Sequence, residues 1–203
     1  MLLHNCSNIV RSRKAYITDI ITDRDVASGI TEGLWRIAVD FIRNPNPRPT
    51  LRIFGEHVPG VDLLIVCCGE PRDIVLDTVK AACQIDYPVN KLRIILADDA
   101  HDPILRNEVL ELHETHPNLH YHARIKPDEG PHGYKAGNIN TTMKYVDTLP
   151  GGQHEFIGVL DADMIPEPCI LRALIPHAVI DEKVGMVTTA QVGCPLQMNV
   201  MKC

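Results

Sequence analysis

Short runs of apolar residues constrain the fold of this chain more than any other feature. The strand candidates are Val61–Cys67, Leu92–Ala97, Leu119–Ile125, Phe156–Leu160 and Val184–Thr189. A continuous apolar run of this length is typical of a strand that is buried on both faces, as in a parallel sheet. Apolar residues at helical spacing follow each of the first four candidates. We therefore predict an α/β fold with a mostly parallel sheet flanked by helices on either side.

Prolines indicate where three of the predicted helices begin. Pro71, Pro103 and Pro168 each stand where a first helical turn would start. Proline is tolerated there because the N–H that it lacks has no partner inside the helix. Sheets of this kind bind ligands at the carboxyl ends of their strands. The residues that directly follow the apolar runs are therefore the first candidates for a functional site.

The first 49 residues differ in pattern from the rest of the chain. Residues 1–24 show no clear periodicity, whereas apolar residues recur at helical spacing over Asp25–Ile42. We expect a helix there that packs on the main domain. A helix on a membrane surface is the alternative, because Trp35 lies beside basic Arg36. Asn44–Pro49 alternates with proline and is predicted to be a linker, so the expected organisation is an N-terminal segment at 1–49 and a main domain at 50–203.

Composition excludes several classes of protein. A net charge of −6 and the lack of any basic run argue against nucleic acid as the main partner. Seven cysteines occur without a CxxC pair, which favours a reducing compartment, and Cys67 and Cys68 are expected to be buried within their apolar run. No apolar stretch is long enough to span a bilayer, and the N-terminus does not resemble a signal peptide. We expect a protein of the cytoplasm or of the cytoplasmic face of a membrane.

Two aspartates follow the fourth apolar run directly. Asp161 and Asp163 are separated by one residue, so in an extended chain their side chains point to the same side. Two close carboxylates repel each other unless a cation lies between them. The pair suits Mg²⁺ or Mn²⁺, with phosphate oxygens as further ligands. A helix cap at Asp161 and a solvated Asp163 are an equally weighted alternative on spacing alone.

Further polar residues are predicted to lie at the same edge of the sheet. Glu70 follows the first strand, and Asp98 and Asp99 end the second, where a ribose hydroxyl or base N–H could bind one carboxylate. Helix capping is the alternative for the two aspartates. Lys135–Asn138 opens a helix with small residues, which allows an anion such as a diphosphate to approach its N-terminus.

Other binding motifs are weak or missing. His120 and His122 alternate along the third strand candidate and could form part of a zinc site, but no third ligand follows at a recognisable spacing. The first strand is not followed by GxGxxG, and no GxxxxGK[ST] segment occurs. The sequence therefore argues against a dinucleotide site of the Rossmann type and excludes a P-loop.

Taken together, these segments resemble the inverting family 2 glycosyltransferases, and most closely their cellulose-synthase-like branch. The resemblance covers about Val61 to Gln191, and its motifs are Gly69-Glu70-Pro71, Asp98-Asp99, Lys135-Ala136-Gly137-Asn138-Ile139-Asn140, and Asp161-Ala162-Asp163 followed by Pro166. It implies a GT-A fold, the nucleotide-diphospho-sugar transferase type, that binds a UDP-sugar donor. The acceptor would be an unidentified carbohydrate or other hydroxyl group.

The resemblance also implies roles for individual residues. Glu70, Asp98 and Asp99 would hold the uridine. Lys135, with Asn138 at the same helix start, would approach the diphosphate. Asp161 and Asp163 would ligate Mg²⁺ or Mn²⁺, and Asp161 would also lie against the nucleotide sugar.

The chain departs from the family pattern at several points. Cys67, Gly69 and Ala100 stand where the family usually has Thr, Asn and Gly. The Thr/Ser-Glu-Asp motif that carries the general base, the Gln-x-x-Arg-Trp motif and the membrane helices of this branch are missing from the sequence. We therefore expect residues 50–203 to be a partial domain, incomplete at the C-terminus, and assign no catalytic base. The alternatives are a non-catalytic nucleotide-sugar-binding module and, more remotely, a phosphotransferase of the haloacid-dehalogenase type.

Overall fold

A computed structural model of the chain describes residues 8–11, 50–125 and 133–189. Six strands and four α-helices occur in these ranges. In chain order they are β1 (Asn8–Arg11), β2 (Val61–Cys67), α1 (Arg72–Cys83), β3 (Leu92–Asp98), α2 (Pro103–Thr115), β4 (Leu119–His122), α3 (Tyr134–Thr148), β5 (Phe156–Asp161), α4 (Ile170–Ile180) and β6 (Met186–Thr188). A short 3₁₀ turn at Val89–Lys91 leads into β3.

The strands form one sheet in the order β4-β3-β2-β5-β1-β6. The four strands β2, β3, β4 and β5 are parallel to one another, whereas β1 pairs antiparallel with both β5 and β6. Helices connect the parallel strands, as a crossover between parallel strands requires. The predicted α/β fold with a mostly parallel sheet is therefore confirmed. The parallel connections bring the carboxyl ends of β2, β3, β4 and β5 to one edge.

Apolar side chains cover both faces of the central strands. All residues of β2 and β3 are buried. On one face, the larger core includes Leu63, Ile65, Ile94 and Leu96 and packs against α1, α2 and α4. On the other face, Leu64, Val66 and Ile95 pack against Ile139, Met143 and Val146 of α3. Burial on both faces is the physical reason that these strands lack a polar–apolar alternation.

The structure alters some predicted boundaries. The third strand candidate ends at His122 instead of Ile125, and the fifth shortens to Met186–Thr188, which is largely exposed. The helix expected from Pro168 begins at Ile170, whereas Pro103 does occupy the first turn of α2. No structure was predicted for residues 1–24, yet β1 lies within the sheet. The helix predicted at Asp25–Ile42 and the linker at Asn44–Pro49 lie outside the described residues.

The cysteines differ in environment. Cys67 is buried, as predicted, but Cys68 is exposed because it follows the last residue of β2, where the core ends. Cys67, Cys68 and Cys83 are free thiols, whereas Cys169 is disulfide-bonded. Within the ranges given above, no helix has the length and apolar character needed to cross a bilayer.

Candidate functional site

A cleft of about 450 Å³ opens at the carboxyl edge of the parallel strands. It is bounded by the ends of β2, β3 and β5 and by the first turn of α3. Its lining residues are Val66, Cys67, Cys68, Glu70, Asp99, Tyr134, Lys135, Asn138, Asp161, Ala162 and Asp163. The topology thus brings together all but one of the residues that the sequence assigns to a nucleotide-sugar or cation site. The exception is Asp98.

Asp161 and Asp163 both line this cleft, but not by the geometry expected of an extended chain. Asp161 is the last residue of β5, and the amide of Met164 donates to its carbonyl at 3.1 Å, so Ala162 and Asp163 form a turn. The hydroxyl of Thr78 donates to the carbonyl of Ala162 at 2.7 Å and anchors that turn on α1. A turn rather than strand alternation therefore places the two acids in one cleft.

Lys135 pairs with Asp161 at the floor of the cleft. The ammonium Nζ forms an ion pair with Oδ1 of Asp161. The carboxylate is 14% exposed and the ammonium 46%, so the lysine reaches inward from the mouth. Because Lys135 is in the first turn of α3, its charge adds to the positive end of that helix. This part of the cleft can attract an anion and a cation side by side.

The two aspartates fit a hard divalent cation as part of a shared ligand set. Carboxylate oxygens are the ligands that Mg²⁺ and Mn²⁺ prefer, and Mg²⁺ commonly takes one or two carboxylates together with substrate phosphates. Nowhere in residues 8–11, 50–125 and 133–189 do three or more His, Cys, Asp or Glu side chains form a group able to hold a metal. The protein groups seen here therefore suit a cation that arrives with a phosphate ligand, and not a cation held by protein alone.

Asp98 lies beneath the cleft rather than in it. Its side chain is fully buried and accepts hydrogen bonds from the amides of Ala100 and Asp102 and from the hydroxyl of Tyr121, each at 2.8 Å. Burial raises the pKa of Tyr121, and its hydrogen bond to Asp98 raises it further. The structure therefore places Asp98 outside the cleft, where its oxygens hold the β3–α2 turn.

Asp99 does line the cleft, held by a buried arginine. Nε of Arg124 lies 2.5 Å from Oδ1 of Asp99, and Nη2 lies 3.1 Å from Oδ2, which is a bidentate pair. The same Nη2 donates to the carbonyl of Tyr134 at 3.2 Å. The exposed thiol of Cys68 approaches Oδ2 of Asp99 at 3.8 Å. Asp99 is thus presented to the cleft in a single orientation.

Glu70 lines the cleft three residues beyond the end of β2. Its Oε2 accepts a hydrogen bond from the amide of Cys68 at 2.5 Å, which folds the residues after β2 into a tight turn. Gly69 adopts a φ of +93° at the centre of this turn, a conformation that disfavours side chains. A glycine at this position is therefore explained by the turn itself.

The first turn of α3 approaches the sheet closely. Asn138 is fully buried, and its Nδ2 donates to the carbonyl of Ala97 at 2.9 Å, which fastens the helix to β3. Gly133 has a φ of +66°, and a Cβ there would lie 3.1 Å from the Cα of Gly137. Tyr134 also has a positive φ, +42°, which is uncommon for an aromatic residue. The helix start is thus held in a strained conformation at the cleft.

The histidines of β4 lie on the face of the sheet that α3 covers. His122 stacks on Tyr145 with ring centroids 4.6 Å apart, and His120 lies 5.7 Å from His113. Burial lowers the pKa of both strand histidines; His113 lowers that of His120 further, and His101 that of His122. Packing of the uncharged rings accounts for the two histidines of β4, so their presence does not require a metal ligand role.

Sequence reasoning missed two residues of this site, Arg124 and Tyr134. Arg124 lies two residues beyond β4, so the rule that selected the acids, position after a strand at the carboxyl edge, would also have found it. Tyr134 directly precedes Lys135 and is 85% exposed at the cleft. Its positive φ is a backbone property that no sequence pattern reveals.

Comparisons with known proteins agree with this architecture. The family model described as "Glycosyltransferase like family 2" matches residues 59–203. The mannosyltransferase PcManGT from Pyrobaculum calidifontis, solved with GDP-Man and Mn²⁺, has a TM-score of 0.50 and 19% identity over 72% of this chain and 39% of its own. For S. aureus TarS 1-349 in complex with UDP-GlcNAc, the values are 0.44 and 18% over 61% of this chain and 31% of its own. This chain spans well under half the length of either structure, and the likeness to the mannosyltransferase shows a shared GT-A fold.

Proposed function

The chain belongs to glycosyltransferase-like family 2, and we propose that its carboxyl-edge cleft binds a UDP-sugar together with a divalent cation. We further propose that the whole protein transfers the sugar, with inversion, to a hydroxyl acceptor in polysaccharide or glycoconjugate synthesis. One observation carries the proposal. Glu70, Asp99, Lys135, Asp161 and Asp163 come from four separate segments of the chain and line a single cleft.

The nucleoside end of the donor would lie beside β2 and β3. The carboxylate of Asp99 can accept hydrogen bonds from a base N–H or a ribose hydroxyl, and Arg124 fixes its orientation. Glu70 also lines the cleft, beyond the end of β2. Asp98 would contribute from below, by holding the turn that carries Asp99, and would not touch the nucleotide.

The diphosphate end would lie between α3 and β5. Lys135 and the N-terminus of α3 supply positive charge for a diphosphate. Asp161 and Asp163 would hold Mg²⁺ or Mn²⁺, which when bound stabilises negative charge on the nucleoside diphosphate leaving group. Asn138 keeps the start of α3 against β3 and so maintains the width of the cleft. The mannosyltransferase with the same fold was solved with a nucleotide sugar and Mn²⁺, which supports this class of ligand.

The proposal leaves the catalytic base unassigned. A non-catalytic module that binds a nucleotide sugar is therefore the alternative within the same family. A phosphotransferase of the haloacid-dehalogenase type is ruled out, because the chain belongs to the glycosyltransferase family.

The free thiols of Cys67, Cys68 and Cys83 support a cytoplasmic location or the cytoplasmic face of a membrane, whereas the disulfide at Cys169 argues against it.

Calorimetric titration with UDP and Mn²⁺ tests the proposal. We expect binding by the unaltered chain and a loss of at least about tenfold in affinity for Asp161→Ala with Asp163→Ala, because the cation then has no protein ligand. Asp147→Ala, which removes an exposed carboxylate of α3, is the matched control and should bind as the unaltered chain does.

Equal binding by the double variant would overturn the metal site, and no binding of UDP by the unaltered chain would overturn the donor site. Sugar transfer or UDP-sugar hydrolysis by the purified protein would exclude the non-catalytic alternative.

A further inference from the structure

Arg124 connects two parts of the cleft that are far apart in sequence. Its guanidinium bonds both oxygens of Asp99, at 2.5 and 3.1 Å, and the carbonyl of Tyr134 at 3.2 Å. The side chain is only 4% exposed and does not line the cleft. Arg124 thus reaches the nucleoside end of the cleft only through the groups that it holds.

The backbone of Arg124 is anchored as well. Nε2 of His101 lies 2.5 Å from the carbonyl of Arg124, and His101 itself adopts a φ of +61° immediately after the β3 turn. The segment after β3, the segment after β4 and the first turn of α3 therefore meet at this one residue. A planar guanidinium can serve two acceptors at fixed angles at once, which a lysine ammonium cannot do.

Stability does not account for this arrangement. Removing two charges from water costs about as much as their attraction returns, so a buried ion pair is weak evidence for stabilisation. What the guanidinium does provide is a fixed direction for the Asp99 carboxylate and a fixed position for the carbonyl of Tyr134, the residue with the positive φ. Both groups border the same cleft.

We propose that Arg124 is a positioning residue of the donor site, which orients Asp99 toward the nucleoside and sets Tyr134 as the opposite wall. This inference rests on the proposed function. Arg124 acts on the nucleoside end only, whereas Lys135, Asp161 and Asp163 form the diphosphate end.

The chain contains a matched control for this residue. Arg93 is also a buried arginine in a bonded pair with an aspartate, 3.1 Å from Asp62, but it lies at the opposite edge of the sheet and away from the cleft. Substitution at either arginine removes the arginine partner of a buried carboxylate. Only substitution at Arg124 should alter nucleotide binding.

The experiment titrates UDP and, separately, inorganic pyrophosphate, each with Mn²⁺, into Arg124→Met, Arg124→Lys, Arg93→Met and Arg93→Lys. We expect Arg124→Met to lose about 10- to 100-fold in UDP affinity, the usual effect of losing a residue that orients a ligand-binding group. Pyrophosphate affinity should change less than about twofold, because the diphosphate end is intact. Arg124→Lys should lose less UDP affinity than Arg124→Met, and both Arg93 variants should keep UDP affinity while their melting temperatures fall.

A second measurement separates orientation from general loosening. If Arg124 acts through Asp99, the effects of Arg124→Met and Asp99→Asn on UDP affinity will not add, and the double variant will resemble Asp99→Asn alone. Additive losses, equal losses for UDP and pyrophosphate, or UDP binding unchanged in Arg124→Met would each overturn the proposal. So would failure of both Arg124 variants to fold while the Arg93 variants fold. Absence of UDP binding in the unaltered chain would instead overturn the proposed function.

Discussion

The two edges of the parallel sheet each bury an arginine–aspartate pair, and they use it differently. At the amino edge, Arg93 pairs with Asp62 and also donates to the carbonyls of Pro150 and Gly152. At the carboxyl edge, Arg124 pairs with Asp99 and donates to the carbonyl of Tyr134. Of the two aspartates, Asp99 and not Asp62 lines the cleft at the carboxyl edge.

The difference lies in what else surrounds each aspartate. Asp62 is fully buried, and its second oxygen accepts the amide of His154 at 2.7 Å, so the pair fastens the loop before β5. Asp99 lies at the end of β3, where neighbouring strands diverge into turns and leave a crevice. The same kind of ion pair thus holds a loop in place at one edge and supports the proposed ligand site at the other.

Removing each aspartate should give the largest contrast. Asp62→Ala leaves the buried guanidinium of Arg93 without its charge partner, so we expect the free energy of unfolding to fall by about 3–5 kcal/mol. Asp99→Ala should destabilise the protein by a similar amount but should also weaken UDP binding. Urea unfolding followed by circular dichroism measures the first effect, and calorimetry below the melting temperature measures the second. Weaker UDP binding by folded Asp62→Ala protein would contradict the prediction that only the carboxyl edge affects UDP binding.

We expect a smaller effect on stability from Gly60→Ala, which creates a steric clash at the amino edge and leaves the carboxyl edge unchanged. A Cβ at Gly60 would lie 2.6 Å from Cδ2 and 2.8 Å from Cγ of His154, so the imidazole would have to move away from Asp62. We expect a loss of about 1–3 kcal/mol in unfolding free energy, as for other overpacked sites. Gly185→Ala is the control, because a Cβ there meets nothing within 4 Å. Equal melting temperatures for the two variants would show that His154 is free to shift.

The smallest effect should come from pH. Burial holds the pKa of His120 and His122 below 6.5, so the unfolded chain binds protons more readily than the folded one. Their contribution to stability is complete above pH 6.5 and is lost as the pH falls through the folded-state pKa values. His120 lies near Arg93 and Asp62, and His122 near His101. Urea midpoints between pH 7.5 and 5 for His120→Gln and His122→Gln should each show a shallower decline than the unaltered chain.

If neither substitution changes the slope, the acid sensitivity of the protein arises from other groups. A shallower decline in only one variant would assign the acid sensitivity to the histidine replaced in that variant, either His120 near Arg93 or His122 near His101.

Much of the fold followed from local patterns. The runs at Val61–Cys67 and Leu92–Ala97 predicted two central strands, and the proline at 103 predicted the start of α2. Burial on both faces leaves a strong apolar signal, which is why these elements were recognisable. β1 was missed and β6 was predicted too long, because both lie at the antiparallel side of the sheet. There β1 is a strand because it pairs with β5, and β6 is a strand because it pairs with β1, rather than because of their composition.

The candidate site was predicted in part, for a related reason. Residue order along the chain and the parallel topology together imply that segments after successive strands share an edge, so Glu70, Asp99, Lys135, Asp161 and Asp163 could be named in advance. The sequence could not separate Asp98 from Asp99, because adjacent residues at a strand end point in opposite directions and the turn that follows selects one of them. Burial and three hydrogen bonds assign Asp98 to that turn.

Residue types and their spacing thus predicted the parallel α/β architecture, the edge where the functional site is proposed and the acids proposed to hold a cation, since these depend on short-range periodicity and chain direction. Which carboxylate is presented, and what holds it, depended on contacts between residues distant in sequence. Arg124 meets Asp99 across 25 positions and Lys135 meets Asp161 across 26. Such pairs form only when the chain is packed, because loop closure and burial, rather than local propensity, bring their charges together.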